Sequence, residues 1–436
     1  MENNIVSQLR GKTVSLLGFG VSNRAVCELL VKNGIFPTVR NEKVVELPQG
    51  IKGIFGAEHK NVCEDVVFRS PSFRGDEIKK RSEVYTDISF FLERAKGFKI
   101  GITGSDGKTT TTTLIYKMLV SDGKKAHLAG NVGVPLASVV DKTTNDSYMA
   151  IELSSFQLFD YCPPLDVSVV TSISENHLDW HKSYKEYVLS KSNVAKMAKR
   201  QVVNYDIKER ALFSGENTTY FSIKSCQHLL GGKESYVYIK DSYVYHNEER
   251  LFSIDKIKLK GEYNLYNILG AVGALFGIVS LESMKKVAYS YEGTPHRNEH
   301  ILTQGGVFFV DSSADSTPTR TKTTLGAHQK SKVIAIMGGY DKCLDYTPLN
   351  EVAGDLKLIV LFGANKQKIR DSIPSAKRVI LVNNIYEATK IAYKEARAGD
   401  FVVLTPASAS FDMFENYIDR AEKFKDAIRG LGNGEN

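Results

Sequence analysis

Apolar and polar positions along the chain form three successive alternations of short apolar runs and amphipathic stretches. The first opens with Thr13-Val-Ser-Leu-Leu-Gly18, which predicts a buried strand, and passes through Phe19-Gly20-Val-Ser22-Asn-Arg into an amphipathic pattern over 25–33 that predicts a helix. A further apolar run at 36–39 predicts the next strand, so the segment reads as a βαβ opening with Gly18 and Gly20 in its tight turn. The second alternation starts with the strand Phe98-Lys-Ile-Gly101, crosses a glycine- and threonine-rich loop, and predicts a helix over 114–121. Strands are then predicted at 149–153 and 167–172, a helix over 185–198, a small β-meander over 236–254 and a helix over 265–278. The third follows the breaker-rich junction Gly293-Thr-Pro-His-Arg297, with strands predicted at 306–311, 332–337, 357–362, 378–381 and 401–404 and helices between them. Strands alternating with helices in this way predict an α/β chain built on mostly parallel sheets.

Bulk properties narrow the field without naming an activity. A chain of 436 residues is too long for one ordinary core and suggests about three domains. With 42% hydrophobic and 25% charged residues and no low-complexity tract, the composition is that of a globular protein. The formal charge of +7 permits an anionic substrate, but Lys and Arg alternate with Asp and Glu, which argues against nucleic acid as a partner. The basic stretch 191–200 reads as a solvated helix face. Five cysteines, odd in number and never in a C-x-x-C pair, disfavour a disulfide framework and a structural zinc site and fit a reducing compartment. The N-terminus has no signal-peptide core, and no apolar run reaches the roughly 18 residues needed to cross a bilayer, so no membrane insertion and a cytoplasmic location are expected.

The loop Gly101-Ile-Thr-Gly104-Ser105-Asp106-Gly107-Lys108-Thr109-Thr110 carries the clearest chemistry. A strand, a glycine-rich loop and a helix start present backbone N–H groups to phosphates, with the Lys reaching terminal phosphates and the next hydroxyl reaching Mg²⁺. The common spacing would put a Gly where Ile102 stands, so the loop is a variant with glycines at 101, 104 and 107. It points to a nucleoside triphosphate. Glu152 and His177 end or follow apolar strands and could reach a cation beside that loop. Asp311, at a strand end, could hold a sugar hydroxyl. Lys342 in a glycine-opened loop could hold a carboxylate, and Ser408 and Ser410 precede a helix as N-caps or anion ligands. Gly18-Phe-Gly20 alone is weak evidence for a dinucleotide: the third glycine is replaced by Asn23, and Arg40 and Asn41 stand where an acid would hold the ribose. Lys191, on a predicted helix, reads by itself as a solvent-reaching lysine.

Taken in order, these segments resemble the Mur ligases of peptidoglycan synthesis. The matching stretches are Gly104-Ser-Asp-Gly-Lys-Thr-Thr110, Gly130-Asn-Val-Gly-Val-Pro135, Glu152-Leu-Ser-Ser-Phe-Gln-Leu158 and Glu175-Asn-His-Leu-Asp-Trp-His181. Further matches are Lys191 within Tyr187-Val-Leu-Ser-Lys-Ser-Asn193, Gly261-Glu-Tyr-Asn-Leu-Tyr-Asn267 and Pro295-His-Arg-Asn-Glu299. Gly338-Gly-Tyr-Asp-Lys342 and Thr405-Pro-Ala-Ser-Ala-Ser-Phe-Asp-Met-Phe414 point to the glutamate-adding branch. The resemblance implies three domains: a Rossmann-like UDP-substrate domain over 1–93, a central P-loop-type ATPase domain over 94–293 and a Rossmann-like amino-acid domain over 294–436. It implies an ATP-dependent amide ligase that turns a UDP-sugar-linked carboxylate into an acyl phosphate and joins it to D-glutamate.

By the same resemblance, Lys108 holds the β- and γ-phosphates within the loop Gly104, Ser105, Asp106, Gly107, Thr109 and Thr110. Thr109 and Glu152 would hold a first Mg²⁺, and His177 with a carbamylated Lys191 a second. Asn264, Asn267, Arg297 and Asp311 would complete the ATP site. Gly18, Ser22, Ser70 and Asn131 would meet the UDP-substrate, and Lys342, Ser410 and Tyr417 the glutamate. A monomer is expected. Departures from the pattern fall at Asp106, Ser72, Tyr263, Ser313, Asp315, Cys343 and Ala421. Asp315 stands where a glutamate-contacting Thr is usual and would repel a dicarboxylate unless Lys342 or Arg320 neutralises it. Beside a partner subunit of an amidotransferase built on the Mur-ligase core, which the lack of cysteine pairs disfavours, three other readings compete. The first is a superfamily ligase for another amino acid, such as L-glutamate, or a folylpolyglutamate synthase-like enzyme. The second is a nicotinamide oxidoreductase resting on Gly18 and Gly20, and the third a non-catalytic ATP-binding scaffold.

Overall fold

The computed structural model describes residues 5–431 except 79–81, 132, 179, 230–231, 260, 294 and 342–343. It separates into two compact units, Met1–Tyr291 and Glu292–Asn436.

The first unit holds two sheets. Strands β1 (Val14–Leu17), β2 (Thr38–Asn41), β3 (Lys52–Phe55), β4 (Val66–Arg69) and β5 (Glu83–Tyr85) pair in parallel in the order β3-β2-β1-β4-β5. Every residue of β1 and β4 is buried, as expected for central strands of a covered parallel sheet. The helix after β1 begins at Val21 rather than 25. Its polar first turn is anchored from within: Asn23 Nδ2 donates to the carbonyls of Leu17, Gly18 and Phe68.

The second sheet contains β6 (Phe98–Thr103), β7 (Lys125–Gly130), β8 (Ser147–Glu152), β9 (Val167–Val170), β10 (Arg200–Asn204), β11 (Thr218–Ser222), β12 (Ser235–Lys240), β13 (Tyr243–His246) and β14 (Glu249–Ser253). Their order is β14-β13-β12-β11-β10-β9-β6-β8-β7, parallel from β7 to β12, with β12 to β14 forming the expected antiparallel meander. Strand β6 lies between β8 and β9, so the chain leaves it in one direction and returns on the other side, opening a crevice at its carboxyl end.

The helix after β6 runs over Lys108–Ser121, six residues earlier than the apolar pattern indicates. Threonines disfavour helices by a few tenths of a kcal/mol each, yet here four of the five hydroxyls from Thr109 to Thr113 are satisfied. Thr112 and Thr113 donate to the carbonyls of Lys108 and Thr109 one turn back, while Thr109 and Thr111 bond side chains of other elements. The helix Tyr184–Lys196 corrects a second expectation. Residues 190–195 are buried, Lys191 among them, where a solvated face was expected. The helix predicted at 265–278 is shifted to Glu262–Leu275.

One buried cluster contains Leu16, Phe68 and Phe90 beside the first sheet and Ile151, Leu153 and Val203 from the second, so apolar packing runs across the expected 93/94 boundary. The opposite face of the second sheet is closed by Ile100, Ile102, Leu114, Met118, Leu269 and Val272.

The second unit has one sheet of β15 (Glu299–Gln304), β16 (Val307–Asp311), β17 (Val333–Gly338), β18 (Leu358–Phe362), β19 (Val379–Leu381) and β20 (Phe401–Leu404). The order is β15-β16-β20-β17-β18-β19, parallel except for β15, with an apolar core on each face. The edge strands β7 and β15 were not expected; both intersperse polar residues, as sheet edges do. Ser408 and Ser410 are not N-caps, because the next helix starts only at Tyr417. Among the described residues no helix is long and apolar enough to cross a membrane.

Candidate active site

The carboxyl end of β6 turns through Gly104–Gly107 into the Lys108–Ser121 helix, whose N-cap Gly107 supplies no side-chain cap. The turn is built for glycine. Gly107 has φ +81°, and a Cβ there would sit 2.2 Å from Asn267 Oδ1; at Gly104 it would sit 2.0 Å from Thr171 Oγ1. The backbone is held from β9's continuation: Ser105 N–H donates to Ser172 O, and Asp106 N–H to Ser172 Oγ, both at 2.8 Å. Lys108 Nζ caps the turn by donating to the carbonyls of Gly104 and Ser105 at 2.8 Å each. The helix dipole and this ammonium together favour an anion at the loop. Thr110 is half-buried in the first helical turn.

Glu152, at the end of β8 and only 2% exposed, faces this helix start. Its Oε2 accepts from Thr109 Oγ1 and its Oε1 from Asn131 Nδ2, both at 2.8 Å. Lys191 arrives from the Tyr184–Lys196 helix, also 2% exposed, and donates to Gly104 O at 2.8 Å and Thr103 Oγ1 at 3.4 Å. Burial, reinforced by the like charge of Lys108 and opposed by Glu152 and Asp106, holds its amine well below the ordinary lysine range. Tyr187, one turn earlier, shares a hydrogen bond with Ser105 Oγ at 2.7 Å, and its ring lies 4.9 Å from Lys191 Nζ. Behind the loop, Thr111 Oγ1 donates to Asn267 Oδ1 and Asn267 Nδ2 to Asn264 Oδ1, placing both asparagines against the helix.

His177 stands on an exposed turn with φ +55°, its ring 4.8 Å from Phe156, which follows β8. Its carbonyl accepts from the amides of Trp180 and His181. In the first sheet, Gly18 and Ser70 immediately follow the neighbouring strands β1 and β4. Ser22 lies half-buried in the first turn of the Val21–Lys32 helix, and the hydroxyls of Ser70 and Ser72 share a hydrogen bond at 3.1 Å. Arg40 is turned inward, paired with Glu64 at 2.9 Å, and Asn41 Oδ1 accepts from Phe19 N–H at 3.2 Å.

In the second unit, Asp311 is fully buried at the end of β16. Its Oδ2 pairs with His296 Nδ1 at 2.8 Å, and its Oδ1 accepts from the amide and hydroxyl of Ser313. One carboxylate oxygen each from Glu299 and Asp311 and a ring nitrogen of His296 lie within 4.8 Å of one another. Arg297 is half-buried beside this group. Asp315 does not stand in the open: its Oδ2 accepts from Thr324 Oγ1 at 2.6 Å and Thr405 Oγ1 at 3.0 Å, and burial raises its pKa against the influence of Arg320. Ser410 is buried in the loop after β20, whereas Tyr417 is 44% exposed and its ring is 5.9 Å from that of His296. Arg420, which no motif singles out, is fully buried and donates to the carbonyls of Ser408, Ala409 and Ser313. Lys342 and Cys343 lie outside the described residues, as does Asp179.

The structure therefore gathers the loop, Asn131, Glu152, Lys191, Asn264 and Asn267 around one helix start. Tyr187 joins them unforeseen; its spacing of one turn from Lys191 was the available signal.

Comparison with known proteins agrees with this geometry. Residues 102–275 match the Mur ligase middle domain, and residues 296–408 the Mur ligase glutamate ligase domain. A UDP-N-acetylmuramoylalanine–D-glutamate ligase of Clostridium tetani is 35% identical over 98% of this chain and 99% of its own length. Among solved structures, the UDP-N-acetylmuramate-alanine ligase MurC of Thermotoga maritima matches with a TM-score of 0.64 at 16% identity, covering 96% of this chain and 100% of that one. A MurF ligase of Thermotoga maritima in complex with ADP matches with a TM-score of 0.63 at 16% identity, covering 99% and 100%.

Proposed function

The chain belongs to the Mur ligase family, and from that premise we propose that it joins D-glutamate to UDP-N-acetylmuramoyl-L-alanine in peptidoglycan precursor synthesis, converting ATP to ADP and phosphate. One observation carries the reading: a buried carboxylate, Glu152, and a buried amine, Lys191, converge on the Gly104–Thr109 phosphate loop within a single unit.

The donor set suits Mg²⁺–ATP. Thr109 and Glu152 offer hard oxygen ligands of the kind Mg²⁺ prefers, and the loop's glycines leave a cradle that a Cβ would fill. Mg²⁺, when bound, screens the repulsion between a triphosphate and the attacking carboxylate. Lys108 adds a fixed positive charge at the same place, so that the L-alanine carboxylate can take the γ-phosphoryl group and become an acyl phosphate, a far better electrophile for the amine of D-glutamate. Asn131 orients Glu152 from the other side and would position the muramoyl substrate. Because burial and the neighbouring Lys108 hold the Lys191 pKa well below the ordinary lysine range, its amine can add CO₂ with loss of a proton; the resulting carbamate would place an anion there and, with His177, serve a second Mg²⁺. Gly18, Ser22 and Ser70, at the β1/β4 crevice, would take the UDP moiety. Asn264, Asn267, Arg297 and Asp311 complete the nucleotide site in this reading, and Lys342, Ser410 and Tyr417 receive glutamate. The enzyme acts on these small molecules as a cytoplasmic monomer with three functional regions, 1–93, 94–293 and 294–436.

A second reading, ligation of another amino acid such as L-glutamate, is favoured only by Asp315. Its burial against Thr324 and Thr405 turns the carboxylate away from a competing role with substrate. The deciding experiment measures ADP formation by the purified chain with Mg²⁺, ATP, UDP-N-acetylmuramoyl-L-alanine and a panel of amino acids. Turnover should require the UDP-sugar and D-glutamate together; equal turnover with L-glutamate, or none at all, overturns the assignment.

A further inference from the structure

Arg74, in the segment after β4, belongs to none of the motifs above, yet it is among the most heavily bonded side chains of the first unit. It is 6% exposed. Its Nε and Nη2 donate to the two carboxylate oxygens of Asp76 at 3.0 and 2.9 Å, and its Nη1 and Nη2 donate to the two of Glu186 at 3.0 and 3.1 Å. Nη1 also donates to the carbonyl of Trp180 at 3.1 Å. The guanidinium plane lies 4.4 Å from the ring of Phe159 and 5.0 Å from that of Trp180. Such a fork, bidentate to two carboxylates and stacked on aromatic faces, uses what only arginine offers.

What it grips matters more than how tightly. Trp180 closes the turn that begins at His177: its amide donates to His177 O, and its indole N–H reaches across to Ser72 O at 2.9 Å. Glu186 lies in the first turn of the helix that carries Tyr187 and Lys191 to the phosphate loop, and its pKa is lowered first of all by the Arg74 hydrogen bonds. A single side chain from the segment after β4 thus ties down both the turn bearing His177 and the helix bearing Lys191. The two elements are joined directly through Lys182 and Ser183: Lys182 N–H donates to Glu186 Oε2 at 2.8 Å, and His181, packed against Trp180, Phe156 and Tyr187 and bonded to Ser155 Oγ at 3.0 Å, brings its Nδ1 within 3.6 Å of the same carboxylate.

We propose that Arg74 is a positioning residue for the ligation reaction: by locking the His177–His181 turn to the start of the Tyr184–Lys196 helix, it sets where His177 and Lys191 stand relative to the phosphate loop and so sets the affinity for the second divalent cation. The inference rests on the ligase reading above. Residues that orient metal ligands in this way typically govern metal affinity or activity by about 10- to 100-fold when changed.

Trp180 is the chain's only tryptophan, so its emission reports on this contact directly. The experiment compares full-length wild type, Arg74→Lys and Arg74→Met for ADP formation as a function of Mg²⁺ at saturating substrates, for Trp180 emission and for thermal unfolding. Arg74→Met should raise the half-saturating Mg²⁺ and lower kcat by about 10-fold or more, red-shift Trp180 emission, and leave the KM for D-glutamate near wild type. Arg74→Lys should fall between, because it keeps the charge but loses the fork. If the Met variant does not fold, the Lys variant decides. Folded variants with wild-type Mg²⁺ dependence overturn the proposal, whatever their melting temperature. Absence of ADP formation by the wild type would instead overturn the ligase reading itself.

Discussion

At the scale of single residues, Lys191 shows how far a side chain's chemistry depends on where it is buried. An exposed lysine is a cation at neutral pH; Lys191, buried beside Lys108, favours its neutral form. The unfolded chain keeps the ordinary value of 10.5, so between the lowered folded pKa and 10.5 the unfolded state binds the extra proton. Its contribution to stability is therefore complete above 10.5 and is lost as pH falls toward the folded value. Lys191→Met is accordingly expected to abolish ADP formation while leaving the melting temperature at neutral pH unchanged or higher, since a buried amine is replaced by an apolar chain of similar length. Lys191→Ala should recover part of its activity in added short carboxylic acids, which can supply the missing anion; a variant that short acids leave inert would remove the case for a carbamate. Gly107→Ala tests the loop. The left-handed backbone alone costs an L-residue about 1–2 kcal/mol, and the new Cβ also meets Asn267. Denaturant unfolding should show at least that loss, together with weaker nucleotide binding in calorimetry.

At the scale of elements, the first sheet is tied by a pair that sequence alone left open. Arg40 lies near the end of β2, and Glu64 precedes β4; their side chains are 4% and 10% exposed and meet through Nε and Nη2. Burial pushes Glu64's pKa up, but the Arg40 hydrogen bonds, the backbone N–H groups of Cys63 and Glu64 and the Arg40 charge together outweigh it and leave it below 4.5. Because the folded value is the lower one, this stabilisation is present above 4.5 and is lost as pH falls through the folded pKa. Glu64→Gln strands a buried guanidinium and should cost roughly 3 kcal/mol in urea unfolding at pH 7. The cost should shrink on acidification, as the wild-type pair itself protonates. The inward turn of Arg40 also explains why the Gly18-Phe-Gly20 turn carries no ribose-binding acid: the strand end is committed to structure.

At the scale of the whole molecule, the decisive feature of the first unit is that its two sheets share one apolar cluster, from Leu16 and Phe68 through Phe90 to Ile151 and Val203. A fragment ending at 93 would lose the second-sheet half of this cluster, at about 25 cal/mol for each Å² of apolar surface exposed. Expressed alone, residues 1–93 should show no cooperative thermal transition by circular dichroism, whereas 1–291 should unfold in one. The second unit, with its own core on each face of its sheet, should fold as 292–436.

The alternation of apolar runs, the loop from Gly101 to Thr110 and the ordered motifs were legible in the sequence by itself. Strand periodicity and turn chemistry are local, and a glycine-lysine-threonine spacing presents its phosphate-facing groups however the rest of the chain is arranged. The same locality explains the errors. The Thr109–Thr113 run looked like loop because its helix depends on hydroxyl partners as distant as Glu152 and Asn267. Lys191 looked solvated because only the packed sheet removes its water, and Asp315 looked like a repulsive charge because Thr324 and Thr405 are brought to it by folding. Arg74 had no signature at all: its partners beyond the neighbouring Asp76 lie 106 and 112 residues away at Trp180 and Glu186. Which chemistry the chain carries is written in short segments; which charges are neutral, which ligands are aligned and which strands share a core were decided only by the tertiary structure, since desolvation and long-range contact do not exist until the chain has closed upon itself.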